Sequence, residues 1–236
     1  MMYLPREYID DLLVRIAYHS SAIEGNTISL ADTVTILLHE TIPGKVSKRE
    51  FYEIENHKQA LEYVIDQLEN NESLSLNIVR GIHTQLMDHL NFDRGMWKTH
   101  DNAIVGADFN TASAHDVPYL MKQWIDNLNY RLHQSKTDEE KIKHILEMHI
   151  DFERIHPFSD GNGRTGRLLI IYSLLEHDIS PMIIPVELKS DYIRFLANKD
   201  SEGLYNLLSP IILEESKRRN AFENKEKTSI CSDDIE

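Results

Sequence analysis

The run from Ile155 to Leu168 reads I-H-P-F-S-D-G-N-G-R-T-G-R-L and gathers one imidazole, one carboxylate, three glycines and two arginines. Pro157 stops any preceding helix at about His156, because proline lacks an N–H and disfavours helical backbone in the residue before it. Gly161 and Gly163 frame a tight turn with unshielded backbone N–H groups, and an apolar run over 168–175 follows at helical spacing. A turn that feeds a helix N-terminus is an anion site, since N–H groups and the positive end of the dipole converge there. Arg164 and Arg167 stand three apart on one face of that first turn, where the dipole disfavours cations by roughly a few tenths of a kcal/mol or more each. An anion must compensate them: a carboxylate from elsewhere in the fold, or a di- or triphosphate. With Asp160 beside them as a hard oxygen ligand, the cluster points to a magnesium-bound nucleotide polyphosphate. His156 is its one obvious proton acceptor. For a lone G-x-G, a stiff turn whose arginines pair with surface acids would be the better account.

The whole run resembles the H-P-F-x-D/E-G-N-G-R-x-x-R signature of the Fic (filamentation induced by cyclic AMP) family at every fixed position. The resemblance implies a protein adenylyltransferase that uses ATP and Mg2+. His156 would take the proton from a target hydroxyl attacking the α-phosphate, and Asp160 would hold magnesium on the phosphates. The backbone of Gly161, Asn162 and Gly163, with the side chains of Asn162 and Arg164, would cradle phosphate oxygens, and Arg167 would hold the γ-phosphate. AMP would end on a Ser, Thr or Tyr of a target protein or of the chain itself, with diphosphate released. This is not a Walker loop, since no G-K-[ST] follows the glycines.

The elements that must position this run begin with a helix. Leu4, Ile9, Leu12, Leu13, Ile16 and Ala17 recur at helical spacing, and Gly25 is placed to cap the end. Ser20 and Glu24, four apart, share a face of it. Alone they would be a helix end with a solvated acid. They also resemble the inhibitory [S/T]-x-x-x-E-[G/N] helix of many Fic proteins, in the class II arrangement where inhibitor and catalytic run share one chain. That resemblance implies that Glu24 pairs with Arg167 and blocks the γ-phosphate, with Ser20 and Gly25 completing the motif. Tyr192 and Leu196 resemble the family's Y-x-x-x-L pair lining the adenine pocket.

Ser29 and Ser47 each open a further helix with a capping pattern, and Ser75 starts another. Between 97 and 116 the helical period is lost, and Thr, Ile, Val and Phe mixed with Gly106 and Asn110 predict a short hairpin. The family resemblance makes it a flap beside the active site, along which a target segment would bind by strand addition. Asp116 and Pro118 then open a helix to about Gln134. The next helix delivers the run and carries His149 on its apolar stripe, as a packing histidine. His57, His83 and His89 have no metal-binding spacing and read as packing or surface residues. The expected fold is all-α with one small β-hairpin: an N-terminal helical extension over 1–70, a core domain over 75–215 and a charged, disordered tail over 224–236.

Composition bounds the partners. A formal net charge of −14 on 236 residues disfavours nucleic acid as a partner. The single cysteine, Cys231, excludes a disulfide framework and a cysteine zinc site. No apolar run reaches membrane-spanning length and the first residues lack a signal-peptide core, so a cytoplasmic protein without a membrane partner is expected. Homo-oligomers occur in the family. Other readings remain beside adenylyl transfer: a different donor, removal of AMP with help from Glu24, or a catalytically idle nucleotide sensor. The intact His156 and Asp160 argue against the last.

Overall fold

The computed structural model of the chain describes residues 4–103 and 110–233, with side chains as far as residue 228. Among the described residues every regular element is helical: α1 (Arg6–Ile23), α2 (Leu30–His39), α3 (Lys48–Glu69), α4 (Leu76–Leu86), α5 (Val117–Gln134), α6 (Asp138–Ile155), α7 (Asn162–Glu176), α8 (Lys189–Asn198) and α9 (Ser201–Asp233). A 3-10 turn at Val186–Leu188 leads into α8. None of these helices is long and apolar enough to cross a membrane.

Local chemistry sets the boundaries. The hydroxyls of Ser29, Ser47, Ser75 and Thr137 accept the N–H three residues on, at 3.1, 3.1, 3.4 and 3.2 Å, opening α2, α3, α4 and α6. α6 ends at the expected place: His156 takes a left-handed conformation (φ 51°) with its N–H on Phe152 O, and Pro157 has no N–H with which to continue.

α7 lies at the centre, packed against α1, α3, α4 and α6. Its residues from Arg164 to Leu175 are all buried, as befits a helix that is apolar around most of its circumference. The start of α7 is therefore held by the whole bundle. Trp124 Nε1 donates to Met148 O at 2.7 Å and joins α5 to α6. α1 is clamped to α9 by Glu215, which accepts Tyr8 OH and both Nη groups of Arg15, each at 2.7 Å.

Two expectations are corrected, and a third falls partly outside the described residues. The tail from Asn224 continues α9 through Asp233, because Phe222 packs on Tyr8 at 5.9 Å between ring centroids and Lys225 pairs with Glu7 at 2.6 Å. Charge alone misses the surface that α1 offers this segment. The centre of the predicted hairpin, 104–109, lies outside the described residues, and its flanks form no strand. Their backbone bonds go to the end of α6 instead: Lys98 N donates to Pro157 O at 2.8 Å and Ala112 N to Arg154 O at 3.3 Å. Side chains join the flanks, with Thr111 Oγ1 donating to Asn102 O at 2.6 Å. Asp116 stands at the N-cap position of α5 but makes no side-chain cap, since its carboxylate accepts the Ser113 hydroxyl at 2.7 Å.

Asn56, fully buried on α3, donates to Leu86 O at 2.9 Å and Asp88 O at 2.7 Å, and so satisfies the C-terminal end of α4. Asn56→Ala should lower the urea midpoint by the equivalent of about 1–3 kcal/mol, because two inward-facing carbonyls lose their donor. An unchanged midpoint would contradict this account of the α3–α4 seam.

Candidate active site

The loop between α6 and α7 is closed by Asn162. Its Oδ1 accepts Phe158 N and its Nδ2 donates to Phe158 O, both at 2.9 Å. From below, His83 Nδ1 accepts Gly95 N at 2.8 Å, which leaves Nε2–H to donate to Asp160 O at 2.9 Å. The His83 ring stacks on Phe158 with centroids 3.6 Å apart. Gly161 is required here twice over. Its φ is 78°, and a Cβ would stand 2.5 Å from Met87 Sδ.

His156 is half-buried at the end of α6. Its Nδ1–H faces Glu153 O at 3.3 Å, leaving the Nε2 lone pair free to accept a proton. Burial, aided by the nearby Lys98 ammonium, holds its pKa below the usual 6.5, so the ring is neutral at pH 7. Lys98 Nζ in turn reaches Asn102 Oδ1 at 2.7 Å and Ile155 O at 3.4 Å, tying the flank of the 97–116 segment to this histidine. Asp160 Oδ1 accepts Gly161 N at 2.7 Å and Oδ2 accepts Arg49 Nη2 at 2.9 Å. Burial works to raise its carboxyl, but Arg164, the Gly161 N–H and Arg49 outweigh that and keep it ionised.

The two arginines differ. Arg164 is buried, and its Nε and Nη1 have no hydrogen-bond partner; Nη2 lies 3.7 Å from Asp160 Oδ1. Arg167 is held by the end of α1: Nε donates to Ser20 Oγ at 2.9 Å, and Nη2 to Ser20 O at 2.9 Å and Glu24 Oε1 at 2.7 Å. No side chain caps α7. The Glu24 carboxylate instead lies over its first turn, where a Cβ on Gly163 would stand 2.3 Å from Oε1. Burial would raise the Glu24 carboxyl, yet Arg167 overcomes it and holds the pKa below the usual carboxylate range. Deeper in, burial pushes the Glu153 carboxyl up to about 8 despite Arg167. Neutral Glu153 leaves Glu24 as the counter-ion.

The structure thus brings together Ser20, Glu24, His156, Asp160, Arg164 and Arg167. Gly25 ends α1 with φ 101°. Residues 73–174 match the Fic/DOC family. These residues are a Fic domain. Over 180 residues the chain is 32% identical to a protein adenylyltransferase Fic of Drosophila willistoni, covering 76% of this chain and 35% of that protein. With a protein adenylyltransferase Fic of Nematostella vectensis the identity is 33% over 193 residues, covering 79% and 43%. The chain therefore spans less than half the length of these relatives. A Fic-domain-containing signalling protein from Bacteroides thetaiotaomicron shares its fold, with a TM-score of 0.79 at 24% identity over 90% of this chain and 89% of that one.

Other residues named from the sequence take packing positions in this structure. Tyr192 and Leu196, expected along an adenine pocket, are both buried, and the Tyr192 hydroxyl is engaged with His149 Nε2 at 2.7 Å. His149 is the packing residue it was expected to be, its pKa lowered to about 3 by burial. The Asn162 side chain closes the loop. Arg49, His83 and Lys98 were not singled out for the site by the sequence; no spacing links them to the 155–168 run.

The loop-closing role makes a separate forecast. Asn162→Ala should destabilise the protein by about 1–3 kcal/mol with no nucleotide present, because Phe158 N–H and C=O lose their partners together. Thermal or urea unfolding of the ligand-free protein measures it, and wild-type stability would return Asn162 to a purely ligand-binding role.

Proposed function

We propose that this Fic domain transfers AMP from ATP to a hydroxyl group of a protein, and that Glu24 holds it in check. The observation that carries the reading is the uncapped start of α7. No side chain caps it, the Glu24 carboxylate lies against its first turn at Gly163, and buried Arg164 in that turn keeps two nitrogens without a hydrogen-bond partner, with neutral His156 in the same cluster. Such a site wants an anion. The adenylyltransferase relatives supply the substrate class.

Asp160 fits magnesium delivered with the nucleotide. Among the described residues no three His, Cys, Asp or Glu side chains gather to hold a metal unaided, and a lone ionised carboxylate suits a cation that keeps its remaining ligands from phosphates and water. Such a cation would neutralise charge on the departing diphosphate. The chain's own residues do the rest. Arg164 and the α7 N–H groups bind phosphate oxygens, and Arg167 holds the γ-phosphate once Glu24 withdraws. Nε2 of His156 takes the proton from a Ser, Thr or Tyr hydroxyl as its oxygen bonds to the α-phosphorus. The bond from that phosphorus to the bridging oxygen breaks, and diphosphate leaves. The target, another protein or this one, lies along the segment 97–116, whose flank Lys98 ties to the histidine.

Glu24→Gly should raise transfer roughly ten- to a hundredfold, the relief expected if the closed state is favoured by about 1.4–2.8 kcal/mol. Label from α-labelled ATP should appear on protein and label from γ-labelled ATP should not. Arg167→Ala should not activate, since it removes the lock and the phosphate contact together. Label arriving from the γ position would overturn adenylyl transfer, and a Glu24→Gly protein no faster than wild type at saturating ATP and magnesium would overturn the lock.

The base has its own signature. A folded-state pKa below 6.5 means that His156 stays neutral as pH falls through 6.5 and is protonated only lower down. In the Glu24→Gly background, kcat/KM should therefore be level from neutral pH to about 6.5 and decline below it. His156→Ala should lose at least about 10² in rate while still binding nucleotide. An acid limb centred above 6.5, or transfer surviving in His156→Ala, would assign the base elsewhere.

A further inference from the structure

Asp160 is not open on both oxygens. Arg49, in the first turn of α3, bridges it to Glu53: Nη2 donates to Asp160 Oδ2 and Nε to Glu53 Oε1, each at 2.9 Å. Glu53 is itself anchored to the end of α1, since its Oε2 accepts Asn26 Nδ2 at 3.0 Å and its backbone carbonyl accepts Ser21 Oγ at 3.1 Å. The N-terminal helices thus meet the catalytic loop at two charged points. Glu24 covers the start of α7, and Arg49 covers the carboxylate at the other side of the turn. A divalent cation held by Asp160 would share this carboxylate with the guanidinium, and like charges at that range repel.

We propose that Arg49 competes with the divalent cation for Asp160, so that the N-terminal helices restrain the site through its cation as well as through Glu24. The proposal rests on Asp160 being the cation's ligand. Arg49 has room to release: its side chain is 61% exposed, it keeps Glu53 as a partner, and the Asp160 side chain is 43% exposed. Exposure on both sides also keeps the pair weak. The competition therefore tunes the cation requirement and does not abolish binding.

The test is binding, read without turnover. Calorimetric titration of α,β-methylene ATP, which cannot donate AMP, at a series of magnesium concentrations gives the half-saturating magnesium for each variant. Arg49→Ala should lower that concentration about two- to fivefold, the span of an exposed ion pair. Arg49→Lys, which keeps the charge and loses the two-pronged bridge, should fall between. The Arg49→Ala ratio should be the same with Glu24 present or replaced by Gly, because the two contacts lie on different atoms. Asp160→Asn should lose most of the magnesium dependence. If Asp160→Asn does so while Arg49→Ala matches or exceeds the wild-type requirement, competition by Arg49 is wrong and the cation assignment stands. A ratio seen only when Glu24 is present would mean that Arg49 acts through Glu24, which also overturns the proposal. If Asp160→Asn titrates like wild type, the cation assignment fails and the proposal falls with it.

Discussion

A permanently charged guanidinium buried at the positive end of an enclosed helix is the constraint from which the rest of the site follows. Arg167 cannot shed its proton, and an unpaired buried charge would cost several kcal/mol. α7 cannot turn it outward, because α1, α3, α4 and α6 surround that helix. On the inner side, burial pushes the Glu153 carboxyl up to about 8, which makes it a poor source of countercharge. The anion must come across the remaining face, and α1 brings it. Ser20 contributes its hydroxyl and its carbonyl, and Glu24 the charge. The first helix of the chain thereby joins an arginine more than a hundred positions away.

The pair is lopsided. Its arginine side chain is 7% exposed and its glutamate side chain 41%. Withdrawing the carboxylate costs little on the glutamate side, where water already reaches it. The penalty falls on Arg167, which must be offered another anion at once. An exchange of carboxylate for phosphate over Gly163 meets that condition, whereas simple loss of Glu24 leaves the buried cation exposed to its full desolvation cost. The absence of a side chain at Gly163 matters for the same reason, since either anion must come within contact distance of the backbone.

How much of this could be read from the sequence depended on whether the partners were neighbours in the chain. The 155–168 run was legible because its residues are consecutive, and Ser20 with Glu24 because a four-residue step fixes a shared helical face. Arg49, Glu53 and Asn26 were not, since their meeting with Asp160 depends on how α1 and α3 dock on the loop. His83 read as a packing residue for want of a metal spacing; it does pack, but on Phe158, and it also holds Asp160 O. Asn162 was singled out through the family resemblance as a phosphate ligand; its structural part, an amide that fits Phe158 N and O at once, shows only in the folded loop. The tail misled because composition registers charge and not the apolar contact of Phe222 with Tyr8.

The last turn of α1 has a further meaning in the language of local opening. The N–H groups of Glu24, Gly25 and Asn26 bond to the carbonyls of Ser21 and Ala22, all at 3.0 Å. Below that turn, Tyr8, Leu12 and Ile16 keep α1 seated in the core. Fraying of one turn is therefore enough to lift the carboxylate away, at a free energy well under that of global unfolding. The same event bares those amides to solvent deuterium, while amides in the interior of α7 wait for the whole bundle to open. The turn that carries Glu24 can thus open separately from the enclosed helix beneath it.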